Sequence, residues 1–525
     1  MKDKIFLYDT TLRDGAQTST INFTVKDKIE ISLMLDKIGV DYIEGGWPGS
    51  NIIDNEFFQK LPKLQSARFS AFGMTRRARN SAEADVALNS VIEADIEAVC
   101  IVGKSWDFHL KHALNISSLE NIAMIQSSIQ QIVKKGKEAI FDAEHFFDGF
   151  KADPDFAINV AKAAYEAGSR WVVLCDTNGG TLPNEIYDIV TQVVKHIPKE
   201  NIGIHCHNDT GNAVANSLVA VQAGVRQVQG TINGVGERCG NANLISIIPT
   251  LVLKMGFKTN ISADSLKNLC LVSNFLNNVL EKDKDKFAPY VGEFAFAHKG
   301  GLHVSAVTKN PKSYEHIEPD LVGNKRKILI SNQSGKSNIL SKLKEINFDI
   351  DSLSEVEISN LVDKVKEKES QGYAYYNADA SFTILVKKTL NLIDDFFKIE
   401  KYSVSHDFSF IDGIKKTFSV AKLRIDIDGK KIISESEGNG PVNAFNLALK
   451  KGLALKFPQL EQINLKDYRV KILNPSIGTK ATTRVSIVTS DINGNLLTTI
   501  GVSKNILEAS SEALCDAIMY IFGKI

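Results

Sequence analysis

The chain has 525 residues, which is enough for two or more domains with large cores. Lys and Arg together number 62, and so do Asp and Glu, so no bulk charge attracts nucleic acid or an anionic membrane. The first apolar run is too short for a secretion signal, and no run reaches the roughly 18 apolar residues of a membrane span. We therefore expect a cytoplasmic protein that binds neither nucleic acid nor a membrane.

Short apolar segments alternate with amphipathic segments from the N-terminus to about Met255. The pattern predicts strands at 5–8, 42–45, 68–72, 98–102, 138–142, 171–175, 202–207 and 227–231. It predicts helices at 25–38, 53–60, 81–94, 119–135, 154–167, 182–196, 213–223 and 244–255. Eight units of this kind favour an α/β fold, a (β/α)8 TIM barrel, over the alternative of an open doubly wound sheet.

The remainder of the chain has a different pattern. Between 257 and 400 the sequence predicts helices at 263–280, 336–343 and 358–368 separated by loops. Beyond 401 it predicts two β-β-α-like modules, with strands at 417–427, 431–435, 468–473, 482–489 and 496–502 and helices at 442–455 and 505–522. We expect a barrel domain over 1–275, helical linker subdomains over 276–400 and an α+β domain over 401–525.

Two histidines one residue apart, His205 and His207, follow the apolar run 202–204. Residues i and i+2 of a strand point to the same side, so both imidazoles would leave one strand end together. Such a pair suits a divalent metal ion. A chance HxH pattern is the alternative, and the other strand ends decide between the two.

Active sites of parallel barrels lie at the carboxyl ends of the strands. Asp14 follows the first predicted strand, His205 and His207 end the seventh, and Asn241 lies in the loop after the eighth. One carboxylate, two imidazoles and one amide oxygen could share a single ion, with positions left open for water or substrate. This mixed oxygen and nitrogen set predicts Mg2+ or Mn2+, with Zn2+ as the alternative.

Three further residues lie at strand ends. Arg13 is a permanent cation that could stabilise an alkoxide or enolate developing on the substrate, or form a salt bridge at the barrel mouth. Glu144, after the fifth strand, could orient the substrate or join a proton relay. Thr177, after the sixth, could donate a hydrogen bond to a carboxylate.

Three motifs together resemble those of the DRE-TIM metallolyase superfamily. They are Asp9–Gln17 (DTTLRDGAQ), 205–209 (HCHND) and 233–244 (NGVGERCGNANL). Within that superfamily the chain is similar, nearly end to end, to the Claisen-type acyl-CoA synthases, which include isopropylmalate, homocitrate and citramalate synthases. The segment 438–443 (GNGPVN) is similar to a marker of their C-terminal allosteric, LeuA dimerisation-type domain.

The resemblance implies roles for individual residues. The superfamily's metal ligands match Asp14, His205, His207 and Asn241, its arginine matches Arg13, and its substrate-binding positions match Glu144 and Thr177. His303, the second histidine of 295–303 (AFAHKGGLH), matches the proposed base of the synthases, and Tyr314 matches a tyrosine of the adjoining subdomain. Because the partner subunit contributes that subdomain in the synthases, the resemblance implies a homodimer.

Two segments, 42–51 (YIEGGWPGSN) and 141–149 (FDAEHFFDG), are similar to those of the citramalate synthases in the family. The resemblance implies an acyltransferase that condenses acetyl-CoA with pyruvate and converts the acyl group into an alkyl group, with isoleucine as the implied effector. The alternatives are the isopropylmalate and homocitrate synthase reactions, because a few pocket side chains, each worth about 1–3 kcal/mol, decide the substrate.

Two alternatives come from other classes. A retro-aldol lyase would share the barrel, but lyases of the superfamily use a catalytic cysteine loop, whereas 238–241 (RCGN) matches the synthases and makes Cys239 structural. A metabolite sensor without catalysis is disfavoured because Arg13, Asp14 and His303 are all present.

Overall fold

A computed structural model describes residues 3–330, 334–411 and 414–523. The chain divides into two compact units. The first comprises Met1–Phe296 and Ile317–Lys325, and the second comprises Ala297–His316 and Arg326–Ile525. No helix in these described ranges combines the length and the apolar character needed to cross a bilayer.

The first unit contains a closed barrel of eight parallel strands. The strands are β1 (Phe6–Asp9), β2 (Tyr42–Gly46), β3 (Arg68–Met74), β4 (Ala98–Lys104), β5 (Glu138–Glu144), β6 (Trp171–Asp176), β7 (Ile202–Cys206) and β8 (Gln227–Gly230). β1 pairs with both β2 and β8, which closes the sheet. The barrel prediction is therefore confirmed, and the open-sheet alternative is wrong.

Helices connect the strands on the outside of the barrel. They are Val25–Ile38, Ile52–Gln59, Val86–Ile92, Asp107–His109, Ser118–Lys134, Phe146–Ala152, Pro154–Glu166, Pro183–Val193, Ala213–Ala223 and Leu244–Pro249, followed by Ala263–Leu266 and Leu269–Val279. Asp153 accepts a hydrogen bond from the Phe156 N–H and caps the helix that Pro154 begins. The prediction that a helix starts near Ser81 is wrong, because Asp85 caps the third helix, which begins at Val86.

The barrel interior changes character along its axis. Its lower part holds fully buried apolar and aromatic side chains, including Tyr8, Ile140 and Trp171. Because side chains alternate along a strand, the next inward positions toward the carboxyl ends are occupied by polar groups. Asp142 follows Ile140 in this way, and Glu44 follows Tyr42. The apolar floor thus supports a buried polar layer directly beneath the mouth.

The second unit begins with two short parallel strands, β9 (Ala297–His298) and β10 (Lys327–Ile328). Its next helices are Gly301–Lys309, Lys336–Glu345, Glu355–Ser370 and Asp379–Thr389. The helices predicted at 336–343 and 358–368 are present. Those at 301–309 and 379–389 were not predicted.

Two modules follow, and each has three antiparallel strands and one helix. The first consists of β11 (Lys398–Ile411), β12 (Ile414–Ile427), β13 (Lys430–Gly438) and helix Pro441–Leu453. The second consists of β14 (Asn464–Ile472), β15 (Thr483–Ser490), β16 (Leu496–Ser503) and helix Ile506–Phe522. The two-strand form predicted for the first module is wrong, because β11 was not recognised. β11 is an edge strand whose apolar residues Ile399, Tyr402 and Val404 pack against the core but stay partly exposed, and a register shift between Ile399 and Lys401 interrupts their alternation.

Asp516, on helix Ile506–Phe522, is a half-buried carboxyl group in the second unit. Its Oδ2 accepts a hydrogen bond from the Ser381 hydroxyl at 2.7 Å. Burial raises the pKa of Asp516 to about 7, and nearby Glu512 adds to the shift. In the unfolded chain the pKa returns to about 3.9, so between these values the native state holds a proton that the unfolded state releases.

We predict that replacing Asp516 with asparagine flattens the pH dependence of stability. In the parent protein this carboxyl destabilises the fold as pH rises from about 4 to 7, by an amount on the order of 4 kcal/mol. Asp516→Asn should therefore raise the apparent Tm at pH 8 and leave it little changed at about pH 4, measured by thermal unfolding across this range. Asp394→Asn, at an exposed carboxylate, is the control. Parallel Tm curves for the parent and Asp516→Asn would contradict the assignment.

Candidate metal centre and active site

The turn after β1 is built to place Asp14 over the barrel mouth. The Asp9 carboxylate accepts hydrogen bonds from the N–H and the hydroxyl of Thr11, both at 2.9 Å. The Thr10 carbonyl then accepts the N–H groups of Arg13, Asp14 and Gly15. This local hydrogen bonding folds the chain back over the end of β1, so the side chain of Asp14 is carried to the centre of the mouth.

Asp14, His205 and His207 come together at the mouth. The Asp14 Oδ2 atom lies 3.3 Å from His205 Nε2 and 3.9 Å from His207 Nε2. One ligand atom from each of the three side chains lies within 4.8 Å of the others, and all three residues are buried. This spacing allows one cation to contact all three side chains.

Unpaired buried atoms support a cation at this point. Asp14 Oδ1, His207 Nδ1 and Asn241 Oδ1 are each buried without a hydrogen-bond partner. Asn241 is brought beside His207 by an isolated β-bridge between the two residues. Leaving such polar atoms buried and unpaired costs free energy, about 1–3 kcal/mol each, which coordination would recover. Carboxylate and amide oxygens with imidazole nitrogens are also a chemically suitable ligand set for a divalent ion.

Gln229, on β8, fixes the orientation of the His205 ring. His205 Nδ1 lies 2.8 Å from Gln229 Oε1, and the Gln229 amide donates to Asp142 Oδ1 at 3.2 Å. Since the amide NH2 group is the donor toward Asp142, the oxygen must accept from His205 Nδ1–H. Nε2 is therefore the nitrogen of His205 that faces the point shared with Asp14. This is the arrangement through which outer hydrogen bonds orient metal-binding histidines.

The surroundings of Asp14 and His207 shift the pKa values of both side chains toward the protonation states that bind a cation. Burial alone would raise the pKa of Asp14, but the charge of Arg13 and the hydrogen bond to His205 outweigh burial and hold it well below its usual range. Burial, with a smaller effect of His205, lowers the pKa of His207 to about 3. At neutral pH Asp14 is thus ionised and His207 is neutral, as metal ligands must be. Burial opposes it, but the hydrogen bond to Asp14 and its charge raise the pKa of His205, so a cation bound here must displace a proton from His205.

Arg13 is held rigidly beside Asp14. Its Nε donates to Glu44 Oε2 at 2.7 Å, its Nη1 lies 3.4 Å from Asp14 Oδ2, and its guanidinium lies over the Phe72 ring. Fully buried Glu44 also accepts hydrogen bonds from the hydroxyls of Tyr8 and Thr10. Although burial opposes it, the negative charges of Glu44 and Asp14 raise the pKa of Arg13, so the arginine remains a cation.

The predicted substrate-binding residues Glu144 and Thr177 lie at neighbouring strand ends, after β5 and β6. Glu144 forms an ion pair with Lys104, which ends β4. The Thr177 hydroxyl accepts the N–H of His145 at 2.8 Å, and its own proton remains available to a further acceptor. Their roles in substrate binding remain predictions.

His303 and Tyr314 belong to the second unit, and the structure brings them together there. Their rings stack with centroids 4.2 Å apart and an interplanar angle of 27°. Both side chains are exposed in the single chain. Nearby, buried Glu315 accepts two hydrogen bonds from Arg326 and lies 3.2 Å from His298 Nε2. The assignment of His303 as a base remains a prediction.

Sequence reasoning missed three residues of this site: Glu44, Lys104 and Gln229. Glu44 and Lys104 are charged side chains in otherwise apolar strands, and Gln229 lies on β8, which carries a second glutamine. A charged residue at an inward position of a barrel strand needs a partner when buried, and that requirement could have identified Glu44.

Comparisons with known proteins agree with this geometry. The family model described as HMGL-like matches residues 4–274, which include the whole barrel. The chain belongs to the HMGL-like family. A model described as homocitrate synthase post-HMGL domain-like matches residues 290–372 of this family member, and the LeuA allosteric (dimerisation) domain matches residues 377–522.

Among curated members of the family, this HMGL-like chain is similar to an (R)-citramalate synthase of Aquifex aeolicus, with 48% identity over 99% of the chain and 98% of that protein. A second (R)-citramalate synthase, from Geobacter sulfurreducens, is 47% identical over 99% of this chain and 97% of that protein. A 2-isopropylmalate synthase of Methanocaldococcus jannaschii is 34% identical over 99% of this chain and 95% of that protein. The resemblance to the synthase family that the motifs indicated is confirmed.

We predict that Gln229→Leu weakens divalent metal binding by about 10–100-fold, because the His205 ring loses the partner that orients it. The measurement is Mn2+ affinity by isothermal titration calorimetry. Gln227→Leu is a matched control, because Gln227 lies two residues earlier on the same strand, is equally buried and makes no side-chain hydrogen bond. Equal losses of affinity in the two variants would mean that Gln229 acts only through packing.

Proposed function

We propose that this protein is an (R)-citramalate synthase that condenses acetyl-CoA with pyruvate to give (R)-citramalate and CoA. The observation that supports this most strongly is the identity of 41–48%, over 98–99% of the chain, to five curated (R)-citramalate synthases. The 2-isopropylmalate synthases compared with it are only 31–34% identical over a similar length. Pyruvate is therefore the proposed 2-oxo acid, and the cytoplasm is the proposed location.

Asp14, His205, His207 and Asn241 are the proposed holders of one divalent cation, Mg2+ or Mn2+, with Zn2+ as the alternative. When bound, such a cation supplies Lewis-acid polarisation of a keto oxygen. Arg13, fixed by Glu44, would stabilise negative charge that develops on the same oxygen. Because this arginine is already oriented, little reorganisation is needed as the charge appears.

The remaining roles follow from the chemistry of the condensation. A base must remove a methyl proton from acetyl-CoA, and we assign this to His303 in concert with Tyr314. Their stacked rings support a shared role. Glu144 and Thr177 would orient pyruvate, the latter by donating its hydroxyl proton to the pyruvate carboxylate.

The proposal also assigns a function to each domain of the chain. Residues 1–275 would form the catalytic domain, 276–400 the helical linker and 401–525 the regulatory domain. The match of residues 377–522 to an allosteric dimerisation domain supports a homodimer whose C-terminal domain binds isoleucine. Isoleucine can regulate the enzyme only by binding two conformations with different affinity.

The proposed function predicts release of free CoA from acetyl-CoA in the presence of pyruvate and a divalent cation. We expect the kcat/KM for pyruvate to be at least about tenfold higher than the kcat/KM for 2-oxoisovalerate or 2-oxoglutarate. A factor of this size is what a single contact in the substrate pocket contributes to discrimination. A thiol assay measures the rate, and mass spectrometry identifies citramalate. Isoleucine should lower the rate with pyruvate. Faster turnover of 2-oxoisovalerate would assign a 2-isopropylmalate synthase instead, and faster turnover of 2-oxoglutarate a homocitrate synthase.

His303→Ala should lower kcat by about 10²–10⁴-fold, the usual contribution of a positioned base, while the KM for pyruvate changes little. Lys309→Ala, at the other end of the same helix, is the control for effects on helix Gly301–Lys309. The readout is steady-state CoA release with pyruvate varied at saturating acetyl-CoA. An unchanged kcat in His303→Ala would reject the histidine as the base.

A further inference from the structure

His145, the residue after β5, has an unusual backbone conformation. Its φ angle is +56°, in the left-handed region that few residues other than glycine adopt. The His145 N–H donates to the Thr177 hydroxyl at 2.8 Å, which fixes this turn to the end of β6. Strained residues of this kind often lie at functional sites, because they are kept only where the surroundings determine them.

The imidazole of His145 is held on several sides. Its Nδ1 atom lies 3.3 Å from Asp148 Oδ2, and Asp148 also accepts a hydrogen bond from Asn178 at 2.9 Å. The His109 ring packs edge-on against it with centroids 4.4 Å apart, and the Trp106 ring lies 5.9 Å away. Among the described residues, nothing hydrogen-bonds to Nε2 of His145. The ring is therefore oriented by a carboxylate at one nitrogen and keeps the other nitrogen available.

This arrangement is that of a general base. A carboxylate that binds one imidazole nitrogen selects the tautomer whose second nitrogen accepts a proton, and it stabilises the imidazolium that forms. His145 directly follows Glu144 and is hydrogen-bonded to Thr177, the two residues proposed to orient pyruvate. The His145–Asp148 pair thus lies at the same strand ends as the residues proposed to bind the substrate.

The proposed reaction has a second half that needs a base. After the carbon–carbon bond has formed, the product is still a CoA thioester, and water must cleave it. The described groups at the barrel mouth are largely committed: Asp14, His205 and His207 to the cation, and Glu144 to the ion pair with Lys104. An imidazole that already bears a carboxylate partner is the best-suited group left.

We propose that His145, oriented by Asp148, is the general base that activates water to hydrolyse the citramalyl-CoA thioester. The water oxygen forms a bond to the thioester carbonyl carbon while its proton moves to His145 Nε2. The carbon–sulfur bond then breaks, and the departing sulfur takes the proton back from the imidazolium, which gives free CoA thiol. The carboxylic acid produced loses its proton to solvent, and no further reactant is required.

This inference rests on the proposed function and predicts that hydrolysis can be uncoupled from condensation. His145→Asn is the diagnostic variant, since asparagine tolerates the left-handed backbone but cannot act as the base. With acetyl-CoA, pyruvate and Mn2+, we expect this variant to accumulate citramalyl-CoA, detected by mass spectrometry, while thiol release falls by about 10²–10⁴-fold. Hydrolysis of prepared citramalyl-CoA should fall by the same factor.

Two further variants complete the test. Asp148→Asn keeps the shape of the partner but removes its charge, and it should also accumulate citramalyl-CoA, to a smaller extent. His112→Asn is the control, because this exposed histidine belongs to the same aromatic cluster through Phe108 and has no described contact with His145. It should release thiol at the parent rate.

The outcomes separate the two proposals. If the parent protein makes no citramalate from pyruvate, the proposed function fails. If the parent makes citramalate but His145→Asn hydrolyses citramalyl-CoA at the parent rate, the assignment of His145 fails. It also fails if condensation and hydrolysis fall equally in that variant, since this would indicate a purely structural role.

Discussion

The convergence of one carboxylate and two imidazoles at the barrel mouth is the constraint on which the rest of the site depends. Asp14, His205 and His207 are almost completely buried, and atoms of Asp14, His207 and neighbouring Asn241 have no protein partner. Burying unpaired polar atoms in this way is unfavourable unless a cation coordinates them. The neighbouring residues are then understood as parts of one arrangement: Gln229 orients an imidazole, and Glu44 keeps Arg13 fixed beside the carboxylate.

Closure of the barrel makes this convergence available to residues far apart in the chain. β1 pairs with β8 and β8 pairs with β7, so the end of β1 lies two strands from the histidine pair. In an open sheet with the same strands, β1 would not pair with β8. The apolar floor of the barrel, which includes Trp171 and Tyr8, supports the polar layer from below.

Much of this was predictable from the sequence, and particular residues show why the rest was not. Strand alternation placed His205 and His207 on one face, and the rule that barrel sites lie at strand ends collected Asp14, Glu144 and Thr177. Gln229 was missed because an amide inside a strand has no distinctive spacing in the sequence. Its role becomes visible only when the structure places it between His205 and Asp142. β11 was missed because the register shift between Ile399 and Lys401 interrupts the alternation of apolar and polar residues by which strands are recognised. Ser81 was mistaken for a helix start because Ser and Asp are both good N-caps, and tertiary packing chose Asp85.

The most direct test of the central claim is to locate the cation itself. Crystals of the protein grown with Mn2+ should give one strong anomalous scattering peak per chain at the barrel mouth, within bonding distance of Asp14, His205 and His207. Loss of this peak in crystals of Asp14→Ala would support the same ligand set. A Mn2+-loaded, active crystal with no peak among these three side chains, or with its peak elsewhere, would contradict the account.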